Sequence, residues 1–130
     1  MSAPIRSFHG GDDDWNPAAP CRDYFNRLAE AGAEAGADAA MTEYPDALHN
    51  FDSTSNPARY VDPENMTSRN CQRREENGQL VNVATGQPFS YDDACVEFGP
   101  SSHYNDKAAT AAQQAVTSLL QEVFGQNLDP

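Results

Sequence analysis

The stretch IRSFHGGDDDWNPAAPCRDYFNRLAEAG, residues 5–32, and the segment TEYPDALHNFD, residues 42–52, set the fold class. Ile5 to His9 is a short, largely apolar run delivered into Gly10-Gly11, the pattern of a strand that enters a turn. The turn is acidic, Asp12-Asp13-Asp14. Beyond Pro17 and Pro20, residues Cys21 to Ala31 bring Tyr24, Phe25, Leu28 and Ala31 to helical spacings, and Gly32 supplies a stop signal. The echo AGAE-AGAD that follows reads as a small insertion lengthening the connection. Ala39 to Tyr44 then resumes as a strand ended by Pro45. Strand, helix and strand with short joints is the βαβ pattern of a parallel sheet, with a right-handed crossover. The fold class expected is therefore α/β.

Outward from this unit the pattern changes. From His49 to about Asn105 the chain is rich in Asn, Asp, Ser, Pro and Gly, as in a long elaborated loop. One strand-like pair, Leu80–Val83 and Pro88–Tyr91, is expected to form a hairpin through Thr85-Gly86. Asp106 has the chemistry of a helix N-cap. Ala108 to Phe124 follows as a strong helix with Ala112, Val116, Leu119, Leu120 and Val123 along one face, expected to pack on the sheet unless the half of the domain missing from this chain leaves it exposed, and Gly125 ends it. The organisation expected is one partial domain over 1–130: strand-helix-strand over 1–48, an irregular loop with a hairpin over 49–105, and a closing helix over 106–125.

With 130 residues there is room for one core, and a chain this long buries only about two-thirds of its unfolded surface. Eight basic against twenty acidic side chains give a net charge of -12, which disfavours nucleic acid and anionic lipid as partners. The mean hydropathy is -0.72, and the apolar runs are far shorter than the roughly 20 residues a bilayer requires, so no membrane association is expected. Residues Met1 to Arg6 lack the charged and apolar regions of an export signal. Three cysteines allow at most one internal disulfide. Cys71 and Cys95 flank the expected hairpin and are the better-placed pair, worth about 3 kcal/mol on the loop-closure model. The other reading is three separate thiols in a reducing cytosol, whereas a formed bond would suit a periplasmic or secreted location. No CxxC spacing supports a thiolate metal site.

Two loops carry the chemistry. HGGDDDWNP, residues 9–17, and EYPDALHNFD, residues 43–52, each open from the C-terminal end of a strand, where parallel sheets place their ligand sites. The residues IRSFHGGDDDWNPAAPCRDYFNRLAEAG and TEYPDALHNFD resemble the dienelactone hydrolase family of α/β-hydrolases. In that family a strand ending in HG precedes an acidic turn, and a later YP-x-x-x-H-x-F loop carries a histidine. The stretch NCQRREENGQLVNVATGQPFSYDDAC, residues 70–95, and the closing helix are similar to a subgroup of the same family, so the resemblance covers nearly the whole chain. It implies the C-terminal part of an α/β-hydrolase fold that cleaves a small-molecule ester or lactone through a covalent acyl-enzyme, without a cofactor or metal. Counting four back from Pro17 assigns the family's acid to Asp13, and its histidine falls on His49, with Phe51 as the following aromatic. His49 would take the nucleophile's proton and return it to the leaving group. Asp13 would fix the imidazole tautomer and stabilise the imidazolium.

The chain departs from the family in one large respect. The nucleophile elbow G-x-[SC]-x-G occurs nowhere in these residues. Ser101 and Ser102 follow Gly99-Pro100 without the strand-turn-helix context of an elbow, and Cys21 at a helix start reads as a structural thiol. His9 reads as a strand-end packing residue and His103 as an exposed one. Trp15 either lines the substrate mouth or covers the helix. The alternative function is a non-catalytic, acidic, disulfide-stapled binding or structural module derived from the same fold. An uncovered sheet edge on the two strands would favour self-association.

Overall fold

The computed structural model describes residues 4–35 and 38–125. Strand β1 spans Ile5–Gly10, helix α1 Ala18–Ala35 and strand β2 Ala39–Tyr44. The two strands pair in parallel from Ile5 opposite Ala39 to Gly10 opposite Tyr44, and α1 packs against β2. This in-register ladder is what positions the site: both strands end level, so both outgoing loops leave from the same edge. Arg22 of α1 grips the Glu43 carboxylate of β2 through Nε and Nη2, at 2.5 and 2.7 Å.

Helix α1 is longer at both ends than the sequence suggested. Pro20 lies in its first turn, where a backbone N–H has no acceptor within the helix, so proline is tolerated there. Gly32 does not stop the helix. The surrounding Ala and Glu residues propagate it, and the cost of one glycine, about 1 kcal/mol relative to alanine, is too small to break it. The second copy of the AGAE-AGAD echo includes residues 36 and 37, which lie outside the described residues.

The middle of the chain forms three small antiparallel pairs. Strand β3, Tyr60–Val61, pairs with β8, Ser101–Ser102, and β4, Met66–Thr67, pairs with β7, Glu97–Phe98. The principal hairpin is β5, Arg73–Glu76, with β6, Gln79–Asn82, one turn ahead of the pairing expected through Thr85-Gly86. Its turn is Asn77-Gly78, and both residues have positive φ, 53° and 80°, as a two-residue primed turn requires. The expected pairing is present in part: after Thr85-Gly86 the chain folds back on β6 with an antiparallel bridge from Val81 to Pro88 and hydrogen bonds from the Asn82 N–H to the Gln87 carbonyl and from the Phe89 N–H to the Leu80 carbonyl, but Pro88 to Tyr91 forms no strand, since Pro88 has no N–H to give a ladder. The Cys71–Cys95 disulfide closes this lobe with its Cα atoms 5.1 Å apart, and Cys21 is free.

Helix α2 spans Asp106–Phe124. Its N-cap is Asn105 rather than Asp106: the Asn105 side chain accepts from the Ala108 N–H, and Gly125 closes the other end in the left-handed conformation. Only its first half is buried. Ala108 and Ala112 join Ala47 and Phe51 in the core, with Phe8 and Tyr44 packed against them. Burial pushes the Tyr44 hydroxyl above its ordinary range. Val116, Leu120, Val123 and Phe124 are exposed, so of the two outcomes expected for the apolar stripe its second half shows the uncovered one. The parallel sheet has two strands among the described residues, too narrow to cover a 19-residue helix. No described helix is long and apolar enough to cross a membrane.

Two expectations follow from this packing. A Cβ on Gly10 would lie 2.5 Å from the Ala47 carbonyl oxygen and 2.8 Å from that of Leu48. Both obstacles are backbone, so Gly10→Ala is expected to cost about 1–3 kcal/mol, read as a lower urea midpoint at unchanged slope. The Arg22 hydrogen bonds hold the Glu43 carboxyl below its usual range. A carboxyl depressed in the folded state stabilises above its unfolded pKa and loses that contribution as pH falls through the folded value. The difference in urea midpoint between wild type and Glu43→Gln should therefore narrow from pH 7 to pH 3, and narrow with added salt at pH 7.

Candidate functional site

The acid turn is built by hydrogen bonds from β1 onward. Gly11 N–H donates to the Tyr44 carbonyl at 2.8 Å and Asp12 N–H to the Ala47 carbonyl at 3.0 Å, so the loop leaving β1 is laced to the loop leaving β2. The three aspartates then diverge. Asp12 is exposed. Asp13 turns inward, its side chain 7% exposed, and Oδ1 accepts from the Trp15 and Asn16 N–H groups at 2.9 and 2.8 Å, closing the turn on itself. Asp14 points to the far side, where its two oxygens accept from Ser101 N–H at 2.7 Å and Ser101 Oγ at 2.8 Å. Among the described residues no three His, Cys, Asp or Glu side chains converge on a point that could hold a metal ion.

The second loop is equally constrained. Asp46 and Asn50 take left-handed φ, 61° and 56°, flanking the fully buried Ala47. Phe51, 7% exposed, anchors the far side and packs at a tilt against Tyr44, with ring centroids 5.3 Å apart. The Phe51 carbonyl accepts from Asn105 N–H, and the His49 carbonyl from His103 N–H, tying the loop to the start of α2. His103 is half-buried by this arrangement rather than exposed.

Asp13 and His49 meet between the two loops, with Asp13 Oδ2 2.9 Å from His49 Nδ1. A carboxylate only accepts, so Nδ1 carries the proton and donates. No described residue hydrogen-bonds Nε2, which is left with its lone pair. The Trp15 ring leans on the imidazole, centroids 4.8 Å apart at 47°. The pair borders an open cleft of about 820 Å³ between the strand ends and the first half of α2, lined by Phe8, His9, Leu48, Phe51, Tyr104 and Gln113 among others. His9 lines this cleft as well as packing at the strand end, and its Nδ1 sits 2.9 Å from the Gly10 carbonyl oxygen.

The other candidate nucleophiles lie elsewhere. Ser101 is fully buried and its Oγ is shared between Asp14 and Arg59. Ser102 Oγ accepts from Asn56 Nδ2, and Cys21 is half-buried in the first turn of α1, outside the cleft lining. The contacts that sequence reasoning missed are those of Asp14 with Ser101, Thr67 and Arg69, residues 53 to 87 positions downstream with no periodic pattern to link them. No family model, curated protein or solved structure matches this chain.

The two roles of the Asp13 carboxylate can be separated by substitution. Asparagine keeps a carbonyl oxygen for the Trp15 and Asn16 N–H groups but turns an NH2 toward Nδ1. Asp13→Asn is therefore expected to retain the turn and shift His49 to the Nε2–H tautomer, read from the ring ¹⁵N shifts. Asp13→Ala should lose both and destabilise by about 1–3 kcal/mol, because two N–H groups are orphaned.

Proposed function

We propose that this chain is the acid-and-histidine portion of a serine- or cysteine-type hydrolase of esters or lactones, of the dienelactone hydrolase type. In this reading the 130 residues form the C-terminal part of an α/β-hydrolase domain. The observation that carries the proposal is the 2.9 Å contact between Asp13 Oδ2 and His49 Nδ1, at a cleft on the C-terminal edge of a parallel strand pair. The nucleophile, on this reading, belongs to a segment outside these 130 residues.

The chemistry follows from the protonation pattern. With the proton held at Nδ1 by Asp13, Nε2 is free to take a proton from an attacking hydroxyl or thiol. The imidazolium so formed stays paired with the carboxylate until it protonates the leaving alcohol. Trp15 against the ring restricts its rotation and shields one face from water. The substrate is a small ester or lactone, and no cofactor or metal enters the scheme. The outer edges of the β1–β2 pair make self-association of the isolated chain part of the same reading. The non-catalytic module has the Cys71–Cys95 lobe in its favour, but gives the Asp13–His49 contact no role.

The chain alone is expected to hydrolyse p-nitrophenyl acetate without a burst and at a rate near background. General-base help to water is worth at most about 10²–10⁴-fold, and missing oxyanion donors cost about 10²–10³ each. When the chain is expressed together with the coding sequence that precedes it in frame, a G-x-[SC]-x-G segment should restore burst turnover that His49→Ala abolishes. A burst from the chain alone that His49→Ala removes would show that these residues hold the nucleophile. An active extended protein indifferent to His49→Ala would overturn the reading.

A further inference from the structure

The lobe closed by the disulfide reaches the acid turn through two side chains that the hydrolytic scheme does not use. Thr67 of β4, 2% exposed, donates through Oγ1 to the Trp15 carbonyl at 2.8 Å. Arg69 donates through Nη1 to the Asp14 carbonyl at 2.9 Å and lies 3.4 Å from Asp14 Oδ2. The rest of the same guanidinium holds Glu97 of β7, with Nε at 2.9 Å and Nη2 at 2.7 Å from Oε2. Asp14 and Trp15 directly follow Asp13 in the chain, and the Trp15 N–H is one of the two donors that orient the Asp13 carboxylate. The lobe therefore grips the backbone that aims Oδ2 at His49.

The grip needs support. Strands β4 and β7 pair only at Met66 with Phe98 and Thr67 with Glu97, and a two-residue ladder does not stand alone. Cys71 follows Arg69 by two residues and Cys95 precedes Glu97 by two, so the disulfide and the Arg69–Glu97 pair are successive ties across the same two segments.

We propose that the disulfide-closed lobe positions the acid turn through Thr67 and Arg69, so that reducing Cys71–Cys95 loosens the Asp13–His49 contact. The inference rests on the hydrolytic reading for its functional meaning. Thr67 and Arg69 are positioning residues, since neither touches His49. The redox step is thiol–disulfide exchange with a dithiol. One thiolate of the reagent attacks a protein sulfur and expels the other as a thiolate. The reagent's second thiol then resolves the mixed disulfide. Two electrons pass to the protein, which gains two protons as two thiols, and the reagent leaves as its own disulfide.

The test follows the ring ¹⁵N spectrum of His49, assigned with His49→Gln, together with Trp15 fluorescence and far-ultraviolet circular dichroism, on the full chain. In the oxidised protein the Nδ1–H tautomer should dominate. With dithiothreitol, or in Cys71→Ser/Cys95→Ser, that preference should fall by about tenfold, the size of one charge-assisted hydrogen bond, with helix content unchanged. Thr67→Val should act in the same direction, and Thr67→Ser, which keeps the hydroxyl, should restore the oxidised pattern. Equal tautomer preference in oxidised and reduced protein would overturn the proposal, as would loss of helix in step with the tautomer, which would make the lobe a general support. If oxidised wild type and Asp13→Asn share one tautomer, the acid–histidine reading fails, and the lobe's function with it.

Discussion

The parallel pairing of β1 with β2 is the constraint on which the rest depends. Parallel strands need a crossover, which α1 supplies, and strands in register release their loops from the same edge. A separation of 36 positions along the chain between Asp13 and His49 thereby becomes a contact of 2.9 Å. Gly10 makes the approach close enough, because the β2 loop carbonyls occupy the space where a side chain would begin. Asp13 then serves two masters with one carboxylate: one oxygen closes the turn that holds it, and the other meets the imidazole.

Charge patterning explains why the acidic run does not act as a cluster. Asp12, Asp13 and Asp14 are adjacent, yet backbone rotation through the turn sends one to solvent, one to His49 and one to the buried Ser101 and Arg69. Like charges so separated, two of them paired, cost little repulsion. The same divergence leaves the turn tethered on both sides: the β2 loop receives Asp13, and the lobe of β4 and β7 holds Asp14.

The elements legible in the sequence were those written in local periodicity or punctuation. Ala39–Tyr44, between its insertion and Pro45, was read at its true bounds, and the HGG and YPDALH segments located the two loops whose side chains meet. The β5–β6 hairpin was missed because Arg73–Glu76 is entirely charged and shows no apolar alternation, although Asn77-Gly78 carried the turn chemistry. Asp106 looked like a cap by residue type, but Asn105 beside it has equal capping chemistry, and only the backbone could decide between them. The α2 stripe was legible as a stripe, but its burial depends on what faces it, and Val116, Leu120, Val123 and Phe124 are exposed. The tie from Thr67 and Arg69 was invisible, since single polar residues 50 or more positions away leave no pattern.

The ties also differ in how far along the chain they reach. Closing a loop costs entropy that rises with the logarithm of its length, so near contacts form more cheaply than distant ones. The β5–β6 turn and the 24-residue separation of Cys71 and Cys95 are comparatively local, and so is the β1–α1–β2 crossover. The link from Asp14 to Ser101 spans 87 residues. The acid turn is where near and distant ties meet: it leaves β1 beside the β2 loop, and Thr67, Arg69 and Ser101 reach it from more than 50 positions further along the chain.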